Sequence, residues 1–397
     1  MAQIFANPFR PGAGHMPPYL AGRKEEETEF LRLLAQTTVT ENLILTGLRG
    51  IGKTVLLETL KPLAQQNNWL WVGTDLSESA SLTEEKIAIR LLTDLAVVTS
   101  AFRIQQQSDV SVGFIDKTEN KTQPLNYQFL VNLYSNTPGL VVDKIKGVLE
   151  ALWSVIKGTE IKGIVFAYDE AQNLADHAEN REYPLSLLLD VFQSIQRKNI
   201  PFMLVLTGLP TLFPKLVEAR TYSERMFHVI FLGKLDETAS KEAILRPTKQ
   251  KGCPVSFQDS SVNIIYQKSG GYPYFIQFIC RECYDIWVQN PHVEIPQDDI
   301  TRKLDTDFFA GRWSRATDRQ RQLLTVISRL ERADEEFTVQ EIVTLSKQML
   351  KKPFGGSQVS QMLADLIDAG LIYKDRHGKY LFAVPLLAQF ILRQEEA

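Results

Sequence analysis

The chain of 397 residues is long enough for two or three domains. Hydrophobic residues make up 44% of it and charged residues 23%, which is the balance of an ordinary globular protein. The net charge of −3 excludes a strongly basic protein, so any nucleic-acid site would have to be local. Three cysteines are too few for a disulfide framework. With no signal peptide and no run of about 18 apolar residues, the sequence predicts a cytoplasmic protein without a membrane partner.

The beginning of the chain predicts an extended segment followed by one helix and one strand. Residues 1–19 are rich in proline and glycine and are interpreted as an extended lead-in rather than a domain. A helix is predicted from Lys24 to Ala35, where apolar residues share one face. The apolar run from Leu43 to Thr46 then predicts a buried strand.

A phosphate-binding loop follows this strand directly. The segment has the pattern G-x-x-x-x-G-K-T, and a helix-forming run comes after it, as the pattern requires. Its residues are Gly47, Leu48, Arg49, Gly50, Ile51, Gly52, Lys53 and Thr54, with Val55 next in the helix. The glycines let backbone N–H groups point at phosphate oxygens. Lys53 would neutralise the β- and γ-phosphates and the Thr54 hydroxyl would bind Mg²⁺, so the loop predicts nucleotide binding.

Buried strands alternate with helices over the first 235 residues. Strands are predicted at Trp69–Gly73, Gly163–Tyr168, Pro201–Gly208 and Phe227–Leu232, and helices at Leu82–Phe102, Val141–Ile156 and Leu185–Arg197. Continuous apolar strands separated by helices are typical of a parallel sheet covered on both faces. We therefore predict an α/β fold with a parallel five-stranded P-loop core over residues 20–235. Polar residues at about 107–137 predict an insertion in this core, either a solvated loop or a partner-binding one.

Two carboxylates follow the predicted strand Gly163–Tyr168. An apolar strand that ends in Asp169 and Glu170 has the Walker B pattern. Asp169 would hold Mg²⁺, directly or through water, and Glu170 would orient and polarise the attacking water. Because both residues stand where the strand ends, they can point at one metal–phosphate centre. The pair therefore predicts nucleotide hydrolysis in addition to binding.

Thr207 stands near the end of the following strand. A polar side chain at that position can hydrogen-bond the γ-phosphate or the attacking water. The alternative is that Thr207 only terminates the strand.

Cys280 and Cys283 have the spacing of half a zinc site. No second pair follows them, and both fall within a predicted helix. We therefore interpret them as packing residues.

The pattern becomes helical from Asp236 onward. Helices predicted at Glu237–Leu245, Ser260–Ser269 and Pro273–Gln289 form a small helical lid domain over residues 236–296. The third region, residues 297–397, contains predicted helices at Asp318–Arg329, Thr338–Ser346 and Ser357–Ala369, followed by two short apolar runs. Three helices followed by a β-hairpin is the layout of a winged helix-turn-helix domain.

The last predicted helix of this region is the candidate recognition helix. Ser357, Gln358 and Gln361 lie near its N-terminus, where base edges would be met. Arg376 and Lys379, in the predicted hairpin, could contact phosphates. Winged helices also serve as protein-docking modules, so DNA contact and a docking or structural role are both open.

These motifs resemble the AAA+ class of P-loop ATPases, and within it the bacterial and archaeal ATPases close to the origin-recognition and STAND-like groups. The matching elements are Gly22-Arg23, Gly47 to Thr54, Ile164 to Glu170, Thr207, Arg225 and Gly270 to Pro273. The resemblance covers roughly residues 19–290, and a winged-helix tail is a common companion of the class. It implies an ATPase whose cofactors are ATP and Mg²⁺.

The resemblance also implies roles around the adenine. Tyr19 and Leu20 look like wall residues, and Gly22-Arg23 looks like the segment that passes under the base. The consecutive residues Gly271, Tyr272 and Pro273 resemble the G-x-P element of STAND-like ATPases, which borders the nucleotide.

On the phosphate side, Thr207 looks like sensor 1 of the class. Arg225 stands where the class places an arginine finger that reaches a neighbouring subunit's γ-phosphate. Arg220 is the alternative, and an ordinary surface or structural arginine is the other interpretation. No arginine clearly occupies the sensor 2 position, although Arg246 lies nearby in sequence. This departure favours a nucleotide-dependent switch over fast, ring-driven hydrolysis.

Three functional hypotheses follow. The first is an AAA+-type ATPase whose bound nucleotide sets the position of the lid and winged helix and so controls DNA or partner engagement. The second is a STAND-like signalling or defence switch that turns ATP over slowly and does not bind DNA. The third is an adaptor that forms a homo-oligomer on ATP binding, for which Arg225 would be required.

Overall fold

The structure is a computed structural model that describes residues 5–12, 14–112, 115–290, 297–333, 335–376 and 378–396. The chain forms two compact units. The α/β unit consists of the described residues of Lys24–Thr46 and Leu56–Phe231. The C-terminal unit consists of the described residues of Met1–Arg23, Gly47–Val55 and Leu232–Ala397. The phosphate-binding loop therefore belongs to the same unit as the predicted lid.

The α/β unit is built on one parallel sheet. Its elements, in chain order, are α1 (Lys24–Leu34), β1 (Asn42–Thr46), α2 (Lys53–Gln66, which begins in the loop), β2 (Trp69–Val72), α3 (Glu84–Thr99), β3 (Arg103–Val112), β4 (Ile115–Pro124), α4 (Tyr127–Asn136), α5 (Val141–Ile156), β5 (Gly163–Tyr168), α6 (Pro184–Arg197), β6 (Phe202–Gly208), α7 (Leu212–Ala219), α8 (Ser223–Met226) and β7 (Phe227–Phe231). Five strands form the sheet, in the order β2-β5-β6-β1-β7, and each neighbouring pair is parallel. The predicted five-stranded parallel sheet is confirmed.

The middle strands of this sheet are buried along their whole length. Every residue of β1, β5 and β6 is buried. Phe166 of β5 packs against Phe192 of α6 with ring centroids 4.9 Å apart, and against Phe202 of β6 at 5.6 Å. Because both faces of these strands are covered, their side chains are mainly apolar and do not alternate between polar and apolar. That pattern is what made these strands predictable from the sequence.

The polar segment at about 107–137 does not form the predicted loop. β3 and β4 pair as an antiparallel hairpin, and α4 follows them. α4 begins after Asn126, whose side chain accepts a 3.0 Å hydrogen bond from the N–H of Phe129. The helix buries Leu130 and Tyr134 in the core of the unit. A two-stranded hairpin outside the main sheet needs no continuous apolar run, so its polar composition suggested a loop instead.

The C-terminal unit is mainly helical. Its elements are α9 (Glu237–Leu245), α10 (Asp259–Ser269), α11 (Pro273–Gln289), α12 (Gln297–Leu304), α13 (Gly311–Trp313), α14 (Asp318–Ser328), α15 (Val339–Met349), α16 (Gly356–Asp368), β8 (Ile372–Arg376), β9 (Lys379–Phe382) and α17 (Leu387–Glu396). A π-helical turn, Asp305–Ala310, joins α12 to α13. The predicted lid helices correspond to α9, α10 and α11, whereas α12 and α17 were not predicted. Across the described part of both units, no helix combines the length and apolar character that a membrane span needs.

The last part of this unit has the predicted order of three helices and a hairpin. α14 and α15 each start at a capping box, formed by Thr317 with Gln320 and by Thr338 with Glu341. β8 and β9 pair antiparallel after α16. The unpredicted helix α17 contributes Phe390, whose ring stacks on Phe309 at 5.1 Å. This stacking joins the end of the chain to the turn between α12 and α13.

Candidate nucleotide-binding site

The loop at residues 47–54 has a backbone that requires glycine at two positions. Gly52 has a φ of +93°, in the region that residues with a Cβ rarely adopt. A Cβ on Gly47 would lie 2.7 Å from the carbonyl oxygen of Leu232, so only glycine fits there. α2 starts at Lys53, directly after the loop, and Thr54 and Val55 are half-buried in its first turn. The result is a glycine-rich loop that opens a helix, which suits phosphate binding.

The Lys53 ammonium lies over the loop backbone. Its Nζ donates hydrogen bonds of 2.9 Å to the carbonyl of Gly47 and 3.0 Å to that of Leu48. The side chain is half-buried. Lys53 therefore places a positive charge beside the same backbone that would hold a phosphate.

The side chain of Arg23 is hydrogen-bonded to the backbone of the phosphate-binding loop. It is buried, and its Nη2 donates to the carbonyls of Ile51 at 3.1 Å and Gly233 at 2.8 Å. Gly22 has a φ of +62° and packs closely on Ala239. Arg23 thus connects the loop to the segment that follows β7, a contact that the sequence did not indicate.

Tyr19 is tied to α9. Its hydroxyl donates a 3.0 Å hydrogen bond to Glu242, and the Arg246 guanidinium lies 5.1 Å from the centre of its ring. The hydrogen bond to Glu242 raises the pKa of Tyr19. Arg246 also forms an ion pair with Glu242 at 3.2 Å. Arg246 is therefore engaged next to Tyr19, while Leu20 beside it is half-buried.

The predicted G-x-P element lies against the loop. Gly271 accepts a 2.9 Å hydrogen bond from the N–H of Leu235, and Tyr272 precedes Pro273, which occupies the first turn of α11. The next residue, Tyr274, donates its backbone N–H to the carbonyl of Gly50 at 3.2 Å. The start of α11 is thus hydrogen-bonded to the phosphate-binding loop.

Arg49 extends from the loop toward the end of α16. A Cβ placed on Gly370, in the turn between α16 and β8, would lie 3.5 Å from Nη2 of Arg49. Arg49 is exposed and, among the described residues, has no carboxylate partner. The loop therefore contacts the region that was predicted to be a winged helix.

Arg312 is a second arginine near the loop, and no sequence motif marks it. Arg312 is half-buried, and its guanidinium lies 4.3 Å from the centre of the Phe308 ring. That ring packs on Tyr274 with centroids 5.1 Å apart. Burial lowers the pKa of Arg312, and the like charge of Arg49 lowers it further. An anion near these two arginines would relieve their repulsion.

The Walker B carboxylates stand at the end of β5 in the α/β unit. Asp169 is buried, with 3% of its surface exposed, and its carbonyl accepts a 2.9 Å hydrogen bond from the N–H of Leu76. Its Oδ1 accepts a 2.8 Å hydrogen bond from the N–H of Glu170. Glu170 is exposed and has a φ of +52°. The two residues therefore differ: Asp169 is buried and hydrogen-bonded just after β5, and Glu170 is exposed.

Thr207 is fully buried beside these carboxylates. Its hydroxyl donates a 3.3 Å hydrogen bond to the carbonyl of Tyr168, the last residue of β5. In the sheet, Thr207 pairs with Leu45 and Gly208 with Thr46, the last residue of β1. The ends of β1, β5 and β6 thus lie side by side, and the phosphate-binding loop follows Thr46 in the chain. A hydroxyl that already donates to Tyr168 can still accept a hydrogen bond.

The two candidate arginine fingers have different surroundings. Arg220 forms two hydrogen bonds with Asp190, at 3.0 and 2.8 Å. Tyr222 donates a 2.6 Å hydrogen bond to the same carboxylate. Arg225 is exposed at the end of α8, and no carboxylate in the described residues pairs with it. Arg220 is therefore engaged within its own unit, whereas Arg225 makes no such ion pair among the described residues.

The candidate recognition helix presents a polar face. Ser357, Gln358 and Gln361 are exposed on α16, and the Gln361 amide donates a 3.3 Å hydrogen bond to Asp365. The side chain of Arg376 lies outside the described part of the structure.

Lys379 faces a cleft of mixed charge. It lines an open cleft of about 1140 Å³. The charged residues around it are Arg329, Glu331, Arg332, Glu335, Glu336 and Glu341. Four glutamates face three basic residues there, so the charges of the cleft nearly balance and its lining forms no basic patch.

The two cysteines of α11 are core residues. Cys280 and Cys283 are buried among the apolar side chains of the C-terminal unit. Burial raises the pKa of the Cys280 thiol well above its ordinary value and that of Cys283 to about 12. Both thiols are therefore held in the protonated form within the core, which agrees with a packing role.

Comparison with known sequences finds a family model that matches the end of the chain. A family model described as "Domain of unknown function (DUF8462)" matches residues 306–391. No curated protein sequence matches the chain. The matched segment runs from the π-helical turn into α17 and so includes the three-helix and hairpin region.

Comparison with solved structures defines the fold. The chain is similar to the Aeropyrum pernix ORC2 protein in its ADP form, with a TM-score of 0.54 and 14% identity over 98% of each chain. It also resembles the Orc1 protein of the same organism in complex with DNA, with a TM-score of 0.47 and 15% identity over 96% of this chain and 94% of the other. Cdc6p from Pyrobaculum aerophilum gives a TM-score of 0.48 and 15% identity over 97% of each chain. Together with the sheet order, the likeness to ORC2 shows that the chain shares the AAA+ fold of that protein.

Proposed function

We propose that the protein binds ATP with Mg²⁺ on the loop at residues 47–54 and hydrolyses it. In this proposal the nucleotide acts as a switch that controls the engagement of DNA or a protein partner by the end of the chain. The contact of the loop with α11 and with the turn after α16 carries the proposal.

The chemical groups of the motif residues are those that a nucleotide and its metal ion require. The loop offers backbone N–H groups and the Lys53 ammonium to phosphate oxygens. The hydroxyl of Thr54 and the buried carboxylate of Asp169 are hard oxygen donors of the kind that Mg²⁺ prefers. Bound Mg²⁺ would neutralise phosphate charge. Glu170, exposed at the end of β5, would accept the proton of the attacking water.

The switch follows from what the loop contacts. A phosphate on the loop would interact with the backbone that binds Tyr274 and with the Arg49 side chain beside Gly370. A ligand shifts an equilibrium only through different contacts in its two states. Since these contacts lie within one compact unit, phosphate binding can favour one arrangement of α11 and of the α16–β8 turn.

The output of the switch has two candidates. The exposed polar face of α16 supports contact with DNA. The cleft at Lys379, where glutamates nearly balance the basic residues, and the engagement of Arg246 by Glu242 support the second candidate, a STAND-like switch with slow turnover and a protein partner. Assembly into a homo-oligomer, with Arg225 acting in trans, is compatible with either output.

The test is an ATPase assay of the purified chain with and without duplex DNA, beside a mass measurement of the nucleotide-bound form. Turnover that DNA stimulates supports the first candidate. Co-purified nucleotide, turnover that DNA does not change and no DNA binding at low salt support the second. Absence of both nucleotide binding and turnover would contradict the proposal.

A further inference from the structure

Gln172 lies between Glu170 and the end of β6. It belongs to a short 3-10 turn, Ala171–Asn173, that follows the Walker B carboxylates. Its Nε2 donates a short hydrogen bond to Oε2 of Glu170. Its Oε1 accepts a 3.1 Å hydrogen bond from the backbone N–H of Leu209. One amide side chain therefore touches both the candidate general base and the backbone that follows Gly208.

The chemistry of its neighbours fixes which way this amide points. The N–H of Leu209 can only donate, so it must meet the amide oxygen of Gln172. The amide NH₂ then faces Glu170, whose ionised carboxylate can only accept. Each end of the amide has one suitable partner, and a flipped amide would place oxygen against oxygen.

The surrounding residues leave room for Gln172 and hold its backbone. A Cβ on Gly208 would lie 2.8 Å from Oε1 of Gln172, so a larger residue at the end of β6 would displace the amide. The Lys215 ammonium on α7 donates a 2.8 Å hydrogen bond to the carbonyl of Gln172. Burial lowers the pKa of Lys215, as expected for an ammonium held inside the protein. The side chain and the main chain of Gln172 are thus both anchored.

We propose that Gln172 is a positioning residue for ATP hydrolysis, which holds the Glu170 carboxylate and links it to the end of β6. The proposal rests on the hydrolysis proposed above. Thr207 lies two residues before Leu209, so a shift of this strand end on nucleotide binding is transmitted through the amide to Glu170. Small misplacements of a catalytic group cost large factors in rate.

Gln172→Glu separates the two contacts. The new side chain has the same size and keeps an oxygen acceptor for Leu209, but it loses the N–H donor and places a like charge beside Glu170. We expect kcat for ATP to fall about 10- to 100-fold while KM changes less than about twofold. Gln172→Ala removes both contacts without adding charge, and we expect a similar loss of kcat. The matched control is Gln66→Glu, at an exposed glutamine at the end of α2, which should keep the wild-type kcat.

The outcomes separate this proposal from the one on which it rests. If the wild type turns ATP over and both Gln172 variants match its kcat, the positioning role is wrong. If kcat falls only in proportion to a loss of folded protein in thermal melting, Gln172 is structural and the role is again wrong. If the wild type does not hydrolyse ATP, the proposed hydrolysis is wrong, and the positioning role of Gln172 is wrong for the same reason.

Discussion

The backbone N–H of Tyr274 donates a 3.2 Å hydrogen bond to the carbonyl of Gly50, which joins the first turn of α11 to the phosphate-binding loop. The two residues are also in close contact, because a Cβ on Gly50 would lie 3.0 Å from the Cβ of Tyr274. The loop that we propose to bind phosphate is thereby connected to the helix that follows the G-x-P element.

Lys53→Ala and Glu170→Gln should separate binding from hydrolysis. Loss of the ammonium should weaken ATP binding by about 100-fold or more, since a charge-assisted contact to the phosphates is removed. Glu170→Gln should keep the affinity within about twofold and lower turnover by about 100-fold or more, since the base is lost. Isothermal calorimetry and a phosphate-release assay measure the two effects. Wild-type turnover by Glu170→Gln would show that Glu170 is not the base.

Arg225→Ala should lower turnover only where the protein assembles. Because its side chain is exposed and lacks a carboxylate partner in the described structure, its removal should leave the melting temperature unchanged. An arginine acting in trans is worth about 10³-fold in rate, so the loss should appear at high protein concentration. Turnover measured against protein concentration, with light scattering, provides the test. Equal rates for the variant and the wild type at every concentration would exclude a trans role.

Arg220→Ala should instead lower stability in a pH-dependent way. Burial raises the pKa of Asp190, but the hydrogen bonds from Arg220 and Tyr222 outweigh it, so its pKa is lowered from 3.8. A carboxyl whose pKa is depressed by folding stabilises the fold above its unfolded pKa, and this stabilisation is lost as pH falls through the folded value. The pair is partly exposed, so we expect a loss of about 1 kcal/mol at pH 7. Urea unfolding at pH 7 and near pH 3 should show the difference shrinking in acid, and a constant difference would contradict this assignment.

Arg49→Ala should weaken the connection between the loop and the α16–β8 turn. The loop should still bind ATP. Since Lys53 and the loop backbone are unchanged, ATP affinity should fall by no more than about tenfold. Nucleotide-dependent protection of the turn around Gly370 should decrease in hydrogen exchange. Arg302→Ala is the matched arginine control, because Arg302 is exposed on α12 and pairs with Asp299 of the same helix. Unchanged protection in Arg49→Ala would show that Arg49 does not transmit the signal.

The sequence revealed those parts of the molecule that depend on local patterns. The buried strands β5 and β6 and the helices α9 and α11 were predicted nearly residue for residue, because apolar runs and helix breakers mark them. The loop and the Asp169–Glu170 pair were also found, since each is a contiguous motif.

What the sequence did not reveal depends on distant residues. Arg312 and Gln172 carry no motif, and their importance appears only from residues far away in the chain, Arg49 for one and Leu209 for the other. The ion pair of Arg220 with Asp190 joins residues that are far apart in the chain, so the sequence could not show that the surroundings of Arg220 and Arg225 differ. The hairpin of β3 and β4 has a polar sequence, and only its pairing identifies it as strands.

The most direct test of the account is amide hydrogen exchange of the Glu170→Gln protein with and without ATP and Mg²⁺. In this variant ATP should remain bound without turnover, so the bound state can be measured at equilibrium. The account predicts that ATP slows exchange at the start of α11 and in the turn around Gly370, and that adding Lys53→Ala abolishes both changes. If ATP binds and protects only the loop, leaving α11 and the turn unchanged, the loop is not connected to a switch and the central claim is wrong.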